Sequence, residues 1–559
     1  MHCGASVSRS KVSGAQRNTK PAWRRRANAG LAPEFAVTWA RAVLGACAIV
    51  YLAVSLDHLG VFPAVGEDEP WIAAAPYKLA TEGVYGSDLF AGYYGVERHN
   101  YQHMPLYPLL QAGVFKVAGV GVFQMRLLPV LFGLALLVVV FIVGRALGDE
   151  RVGALAAVLL ITLRVADGGD ATGILLLDRA RINRYDIAVP VFGLLALWAF
   201  ARAGRAPGPG WYLLTGTLTA LASLSHLFGV FWLPILPALL VVVPLGRVGR
   251  VGAASLIVIG FLVPWVPWLL YIATGWDDYR GQMLFVASRF DLLNVSFYLD
   301  NTLHGGPISI GWMVQTVRDL PWQRIGSWTV VLGIPLALAA MARAARQERR
   351  GAVWLLGVAA VAQFVMFLTL LSVKTDNYMI GLWPLGALLL AWFAVWSWDR
   401  GSRLLRSAVA IVLTLILIEG GTRIAHAQGS ARRIDNYDAF AADIARCIPA
   451  GSRVLGLQHY WLGLRQYPYR TWLMAVNLAH PLYYHDPMTL DAALDRIDPD
   501  IILIDVYMGR FLRAAAHPDH PSYGTKAAFE SFLARRSAKQ VCTIENRTYG
   551  SMIVYRVPK

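Results

Sequence analysis

Apolar stretches of membrane length recur along the first three quarters of the chain, among them Phe123 to Leu147, Val251 to Tyr271, Ala352 to Leu371 and Tyr378 to Trp396. At about 1.5 Å per helical residue each crosses the roughly 30 Å hydrocarbon core of a bilayer. The pattern predicts about eleven helical spans, near 36–56, 122–146, 152–167, 186–203, 211–226, 229–246, 251–272, 326–342, 352–371, 378–397 and 404–420. One run, Trp211 to Leu245, is too long for a single span, about 52 Å as one helix. Both its flanks are basic, so it is read as two spans with Ser225 and His226 at the apex.

Polar positions gather in two long loops, 57–121 and 273–325. In the first, Trp71 to Glu82 and Pro105 to Ala118 have amphipathic patterns and read as helices lying in the membrane interface. The second mixes Trp276, Tyr279, Phe290 and Tyr298 with Asp277, Asp278, Arg280 and Arg289. It reads either as an aromatic headgroup anchor or as a cover over a substrate. Beyond the last span the character changes. Residues 421–559 contain no run of membrane length and alternate helical and strand patterns: helices at 436–447, 490–497 and 526–536, strands at 453–457, 501–505, 540–544 and 551–557. The fold class predicted is therefore a polytopic α-helical membrane protein carrying a small C-terminal α/β domain.

Composition agrees with a bilayer as solvent: 56% of residues are hydrophobic and 15% charged, with a mean hydropathy of +0.48. The net charge of +16 would suggest nucleic acid in a water-soluble protein, but its distribution excludes that reading. Arg9, Lys11, Arg17, Lys20 and Arg24 to Arg26 fill a leader over 1–35, and Arg145 and Arg151, Arg202 and Arg205, Arg247 and Arg250, Arg343 to Arg350 and Arg400 to Arg406 occupy every second connection. Positive loops stay in the cytoplasm. The expected topology in the inner or plasma membrane has the N-terminus cytoplasmic, the first apolar run retained as a signal anchor, and the C-terminal domain extracytoplasmic. Cys447 and Cys542 then share the external tail, where they either form a disulfide or remain two buried thiols.

Ionisable groups at the ends of spans are costly, and here they collect on one side. Asp68 and Glu69 follow the first span; His99, His103 and Arg126 precede the second; Arg181, Arg184 and Asp186 precede the fourth; His226 sits at the hairpin apex; Lys374, Asp376 and Tyr378 join the ninth and tenth. This describes a cavity at the outer face. A carboxylate there can act as a general base, while arginine and lysine neutralise a phosphate. Each group also has a structural reading: a solvated acidic loop for Asp68 and Glu69, span-end arginines meeting lipid phosphates for Arg126 and Arg184, an ion pair for Asp186, an interface aromatic for Tyr378. Acids and histidines of this kind permit a divalent cation, but no ligand spacing demands one.

The ordered set Asp68-Glu69, His103-Met104-Pro105-Leu106-Tyr107, Phe123-Gln124-Met125-Arg126-Leu127, Phe132-Gly133, Gly144-Arg145 and Arg184-Tyr185-Asp186 resembles the GT-C glycosyltransferases. The resemblance is nearest to the polyprenol-phosphate-sugar-dependent family that includes the lipid A aminoarabinose transferase and the protein O-mannosyltransferases. It covers roughly Ala36 to Gly420, and the tail is similar to tails of some members. It implies a polyprenyl-phosphate-linked sugar as donor, a glycan, lipid or protein as acceptor, membrane lipids as surroundings, and inverting transfer in cell-envelope glycan biosynthesis, with a divalent cation left open as cofactor. Asp68 matches the family's catalytic carboxylate, with Glu69 beside it; His103, Arg126, Arg184, Asp186, Lys374 and Tyr378 fall in donor-phosphate or substrate-binding segments. Relatives often carry lysine where this chain has His103, and a neutral imidazole brings no fixed charge. Two other classes are a polytopic transporter or flippase of a lipid-linked or anionic substrate, which calls for charges near the bilayer midplane, and a membrane scaffold whose tail binds a partner.

Overall fold

The computed structural model describes residues 33–66, 68–166, 169–205, 208–242, 248–348, 353–372, 374–520 and 522–559. Most of the basic leader, Cys3 and the arginines at 247, 349 and 350 lie outside the described residues.

Among the described residues every segment expected to span the membrane is helical over most of its length. The principal helices are α1 Pro33–Leu56, α2 Asp68–Glu82, α3 Leu106–Ala118, α4 Val122–Leu147, α5 Glu150–Thr162, α6 Ala188–Arg205, α7 Pro209–Ser225, α8 Gly249–Thr274, α9 Ile325–Glu348, α10 Val353–Leu370, α11 Trp383–Arg400 and α12 Arg403–Ala431. Among the described residues seven helices are long and apolar enough to cross a membrane, namely α1, α4, α6 with the turn before it, α8, α9, α10 and α12. The other four expected spans fall on shorter or less apolar pieces. α5 ends at Thr162 because the chain folds back, Val165 and Ala166 both donating to the Gly173 carbonyl at 3.0 and 3.2 Å. The long apolar run divides at His226, whose Nδ1 accepts from the Phe228 N–H at 3.0 Å; a 3₁₀ turn Leu227–Trp232 and a short helix Ile235–Val242 follow.

Between helices in lipid, close packing replaces the hydrophobic effect as the source of association. α4 is the central post, burying Leu136, Leu137, Val140 and Val143 against α5, α6 and α11. α7 and α8 approach through glycine: a Cβ on Gly216 would stand 2.0 Å from the Ile257 carbonyl oxygen, and one on Gly260 2.1 Å from that of Leu213. Gly420 lies as close to Thr162. It therefore serves packing, and α12 continues unbroken to Ala431, carrying the membrane helix past the boundary at 421 that the loss of apolar character suggests.

The tail forms a five-stranded sheet of order β2-β1-β3-β5-β4, with β1 Val454–Gly456, β2 Tyr469–Thr471, β3 Ile501–Asp505, β4 Lys539–Asn546 and β5 Gly550–Arg556. β2, β1 and β3 run parallel, and β5 and β4 close the edge antiparallel, with Ile502 opposite Tyr555. β3 is buried throughout, as its unbroken apolar sequence requires. α13 Tyr437–Arg446, α14 Trp472–Leu478, α15 Leu490–Ile497, α16 Val506–Ala514 and α17 Thr525–Arg535 complete it. β2, α14 and α16 are absent from the pattern predicted above. Cys447 and Cys542 are joined, their Cα atoms 6.2 Å apart.

The tail shares its core with the first long loop, 57–121. Tyr437, Phe440, Trp461 and Met552 belong to one apolar cluster with Ala73, Ala74, Phe90 and Met125. α2, predicted to lie in the bilayer interface, is instead buried over Ile72 to Pro76, with the Tyr77 ring 5.4 Å from that of Trp461. Its small alanines make room for the tail. α3 does keep an outward apolar face, with Leu109, Leu110 and Val117 exposed.

Candidate active site

Asp68 and Glu69 occupy the first turn of α2, where the exposed N–H groups of a helix start favour negative charge. Their environments diverge at once. Glu69 is 3% exposed and points inward. Its carboxylate accepts from Arg126 Nε at 2.8 Å and Nη2 at 2.7 Å, from the Asn183 N–H at 2.8 Å and from the Gly66 N–H at 3.1 Å. Arg126, fully buried, spends Nη1 on the Leu59 carbonyl at 3.1 Å. The two charges thus neutralise each other inside the protein and close the turn 59–69 onto α4.

Asp68 faces the other way, its side chain 46% exposed. It is held by Arg184 Nη1, and Arg184 Nε donates to Asp186 Oδ2 at 2.7 Å. One arginine, in the loop before α6, thus bridges Asp68 of α2 and Asp186 of its own loop. Asp186 Oδ1 is buried with no hydrogen-bond donor among the described residues, and His226 Nε2 stands 3.7 Å from it. Around this chain stand aromatic rings: Tyr185 against His226 with centroids 4.8 Å apart, Tyr378 against Phe228 at 4.6 Å, and His103 between Trp71 at 5.2 Å and Tyr185 at 5.5 Å.

Burial sets the protonation of the two histidines. It pulls His103 down to about 3 and His226 to about 4, with the Arg184 charge adding to the effect in both. Both are neutral at physiological pH, so neither contributes fixed positive charge. Lys374 does not join the Asp68 group. Its ammonium donates to the Asn301 carbonyl and, at 3.0 Å, to that of Leu368, and burial lowers it to about 8. Arg289, grouped by the sequence only with the other charges of its loop, comes within electrostatic reach of Tyr378 on one side and Tyr483 of the tail on the other. No sequence signal distinguishes it from Arg280. Among the described residues no three His, Cys, Asp or Glu side chains come together as a metal site.

The surrounding loops and tail are laced together. The Val65 N–H, four residues before Glu69, donates to Tyr549 Oη of the β4–β5 turn at 3.3 Å. Tyr93 donates to the Tyr483 carbonyl at 2.6 Å, and Arg470 to that of Asp88 at 2.9 Å. Gln282 of the second loop donates to the carbonyls of Tyr94 and His99 at 2.9 and 2.8 Å.

This arrangement has counterparts. A family model described as dolichyl-phosphate-mannose-protein mannosyltransferase matches residues 102–271. The structure is similar to that of ArnT from Cupriavidus metallidurans bound to undecaprenyl phosphate, at 16% identity and TM-score 0.60 over 92% of this chain and 98% of that one. It is similar also to the archaeal oligosaccharyltransferase AglB from Archaeoglobus fulgidus, in complex with an inhibitory peptide and a dolichol-phosphate, at 11% identity and TM-score 0.58 over 92% and 74%. The chain has the GT-C glycosyltransferase fold. No curated protein matches it by sequence. In the GT-C fold of this chain, the acidic turn, the Arg184 bridge and the aromatic surround all stand at one end of the helix bundle, under the tail.

Proposed function

We propose that the protein moves a sugar from a polyprenyl-phosphate carrier to an acceptor at the extracytoplasmic membrane surface, with Asp68 as general base. The observation that carries this reading is the split in the acidic pair: Glu69 is consumed by Arg126, while Asp68 remains exposed and is aimed by Arg184. In the step envisaged, an acceptor hydroxyl gives its proton to Asp68 as its oxygen attacks the anomeric carbon. The bond from that carbon to the phosphate oxygen breaks, and the electron pair leaves with the polyprenyl phosphate. Charge building on the sugar ring is stabilised by the neighbouring carboxylate, as in other glycosyl transfers.

The departing phosphate needs preorganised cations. Arg184 is the nearest: its bonds to Asp68 and Asp186 use Nη1 and Nε, and among the described residues no acceptor meets Nη2. Arg289 and Lys374 flank the same end of the bundle as further phosphate ligands. Glu69 and Arg126 become positioning residues, the role their burial supports. Asp186 Oδ1 and the neutral His103 and His226 offer hydrogen bonds to sugar hydroxyls. The cytoplasmic placing of the basic loops, the extracytoplasmic tail and a donor of this class belong to the same proposal. ArnT and AglB, whose structures hold polyprenyl and dolichyl phosphates, support the donor class.

The test is to incubate membranes holding the wild-type chain with a panel of labelled polyprenyl-phosphate sugars and follow the label. Label that leaves the lipid for an acceptor supports the reading. Label that stays on the lipid and crosses a sealed vesicle intact supports a flippase instead.

A further inference from the structure

At the end of the bundle opposite Asp68, a groove opens between four helices. Its volume is about 390 Å³, and its walls are apolar: Val158 of α5 faces Val409 and Leu413 of α12, with Trp39 of α1 and Trp398 of α11 at the rim. Trp39 is 17 residues before the end of α1, about 25 Å along the helix from the turn that leads to Asp68. The two tryptophans are partly exposed, at 36% and 47%, the usual setting of indole rings at a headgroup boundary.

Positive charge crowns this mouth. Arg151, itself part of the wall, is taken up by two acids: Asp399 through Nη1 and Nη2, both at 2.8 Å, and Asp149 through Nε at 3.1 Å and Nη2 at 2.8 Å. Arg406, one turn before Val409, donates Nε to the Trp398 carbonyl at 2.8 Å, which turns its guanidinium toward the rim. Within the connections 145–151 and 399–406, five arginines stand against Asp149, Glu150 and Asp399, a surplus of positive charge over an apolar slot.

We propose that this groove is a binding site for an anionic phospholipid of the leaflet opposite the Asp68 site, its acyl chain between α5 and α12 and its phosphate at Arg406 above the rim. Charge complementarity selects this occupant. The other segment within reach, the leader before Trp39, carries Arg24, Arg25 and Arg26 and is repelled by the same surplus. A bound lipid joins α1, which leads to Asp68, to α12, which leads to the tail. These helices are largely outward-facing, with only 28% and 11% of their apolar stretches buried, so the lipid supplies packing they otherwise lack.

The full chain, purified in detergent and given equal amounts of phosphatidylglycerol and phosphatidylcholine, tests this by native mass spectrometry and thermal unfolding. The expected result is a retained phosphatidylglycerol adduct favoured about fivefold or more, as one arginine near an anionic headgroup implies, together with a raised unfolding midpoint. Arg406→Gln should bring the preference to unity. Val158→Trp, which fills the slot and keeps Arg406, should abolish the tight adduct while the midpoint without lipid holds or rises. Equal retention of the two lipids by the wild type, or an adduct that survives Val158→Trp, overturns the proposal. So does a photo-cross-linker at position 398 that captures residues 1–32 instead of lipid.

Discussion

Arg126 grips Glu69 with two parallel hydrogen bonds, 2.8 and 2.7 Å long, in a part of the protein from which water is excluded. A paired charge of this kind does little for net stability against an apolar substitute, but removing one partner strands the other. Arg126→Met should therefore destabilise the fold by about 3–5 kcal/mol, and Glu69→Leu with Arg126→Met should recover much of the loss. Unfolding midpoints of the single and double variants check this; equal loss in both would show that the pair matters by its shape alone.

Tyr549 lies far from Asp68 in sequence yet receives the Val65 N–H, fixing the turn that delivers Asp68. Tyr549→Phe keeps the ring, which stacks on Phe440, and loses only the acceptor oxygen. About 1 kcal/mol of stability should go with it, and the transfer rate should fall several-fold with donor KM little changed. A change confined to KM would place Tyr549 in donor binding instead.

Lys374 predicts a pH dependence. Burial lowers it to about 8, so its charge is present below that pH and lost above it. If it helps hold the donor phosphate, donor KM should rise as pH passes through about 8, and Lys374→Met should remove that limb of the profile. The stability effect has the opposite sense. The unfolded chain holds the Lys374 proton up to the ordinary 10.5, so the cost of burying the charged group is full below about pH 8 and relieved between 8 and 10.5.

The Cys447–Cys542 bridge closes a separation of 95 residues in the tail. On chain-entropy grounds its removal by Cys447→Ser with Cys542→Ser should cost about 2–4 kcal/mol. Since the tail shares its core with α2 and the loop at 88–96, transfer activity should lose heat resistance together with the tail. Activity whose thermal inactivation is unchanged in the double variant would contradict this coupling.

Much of this was readable from residue order. Span-end charges are expensive in a bilayer, so Asp68, Arg184 and Asp186 stand out against long apolar runs, and they do converge. The choice of partners was not readable. Arg126 and Arg184 look alike in sequence, and only the approach of α4 to the Gly66 turn decides that one is buried on Glu69 while the other bridges Asp68 and Asp186. Lys374 likewise follows an apolar run, but two backbone carbonyls claim it. In the tail, β2 is three residues long, too short for an alternating pattern to declare itself. The burial of α2 has no signature in the sequence, because its alanines suit a membrane interface and a protein interface equally.

In the proposed reaction Asp68 accepts the proton of the attacking hydroxyl. Release of polyprenyl phosphate from labelled donor, measured in membranes with equal amounts of wild-type and Asp68→Asn protein, tests it most directly. Release should fall about a hundredfold or more, the usual contribution of a general base, with the protein still folded and the donor still bound. Release at the wild-type rate in Asp68→Asn would contradict it.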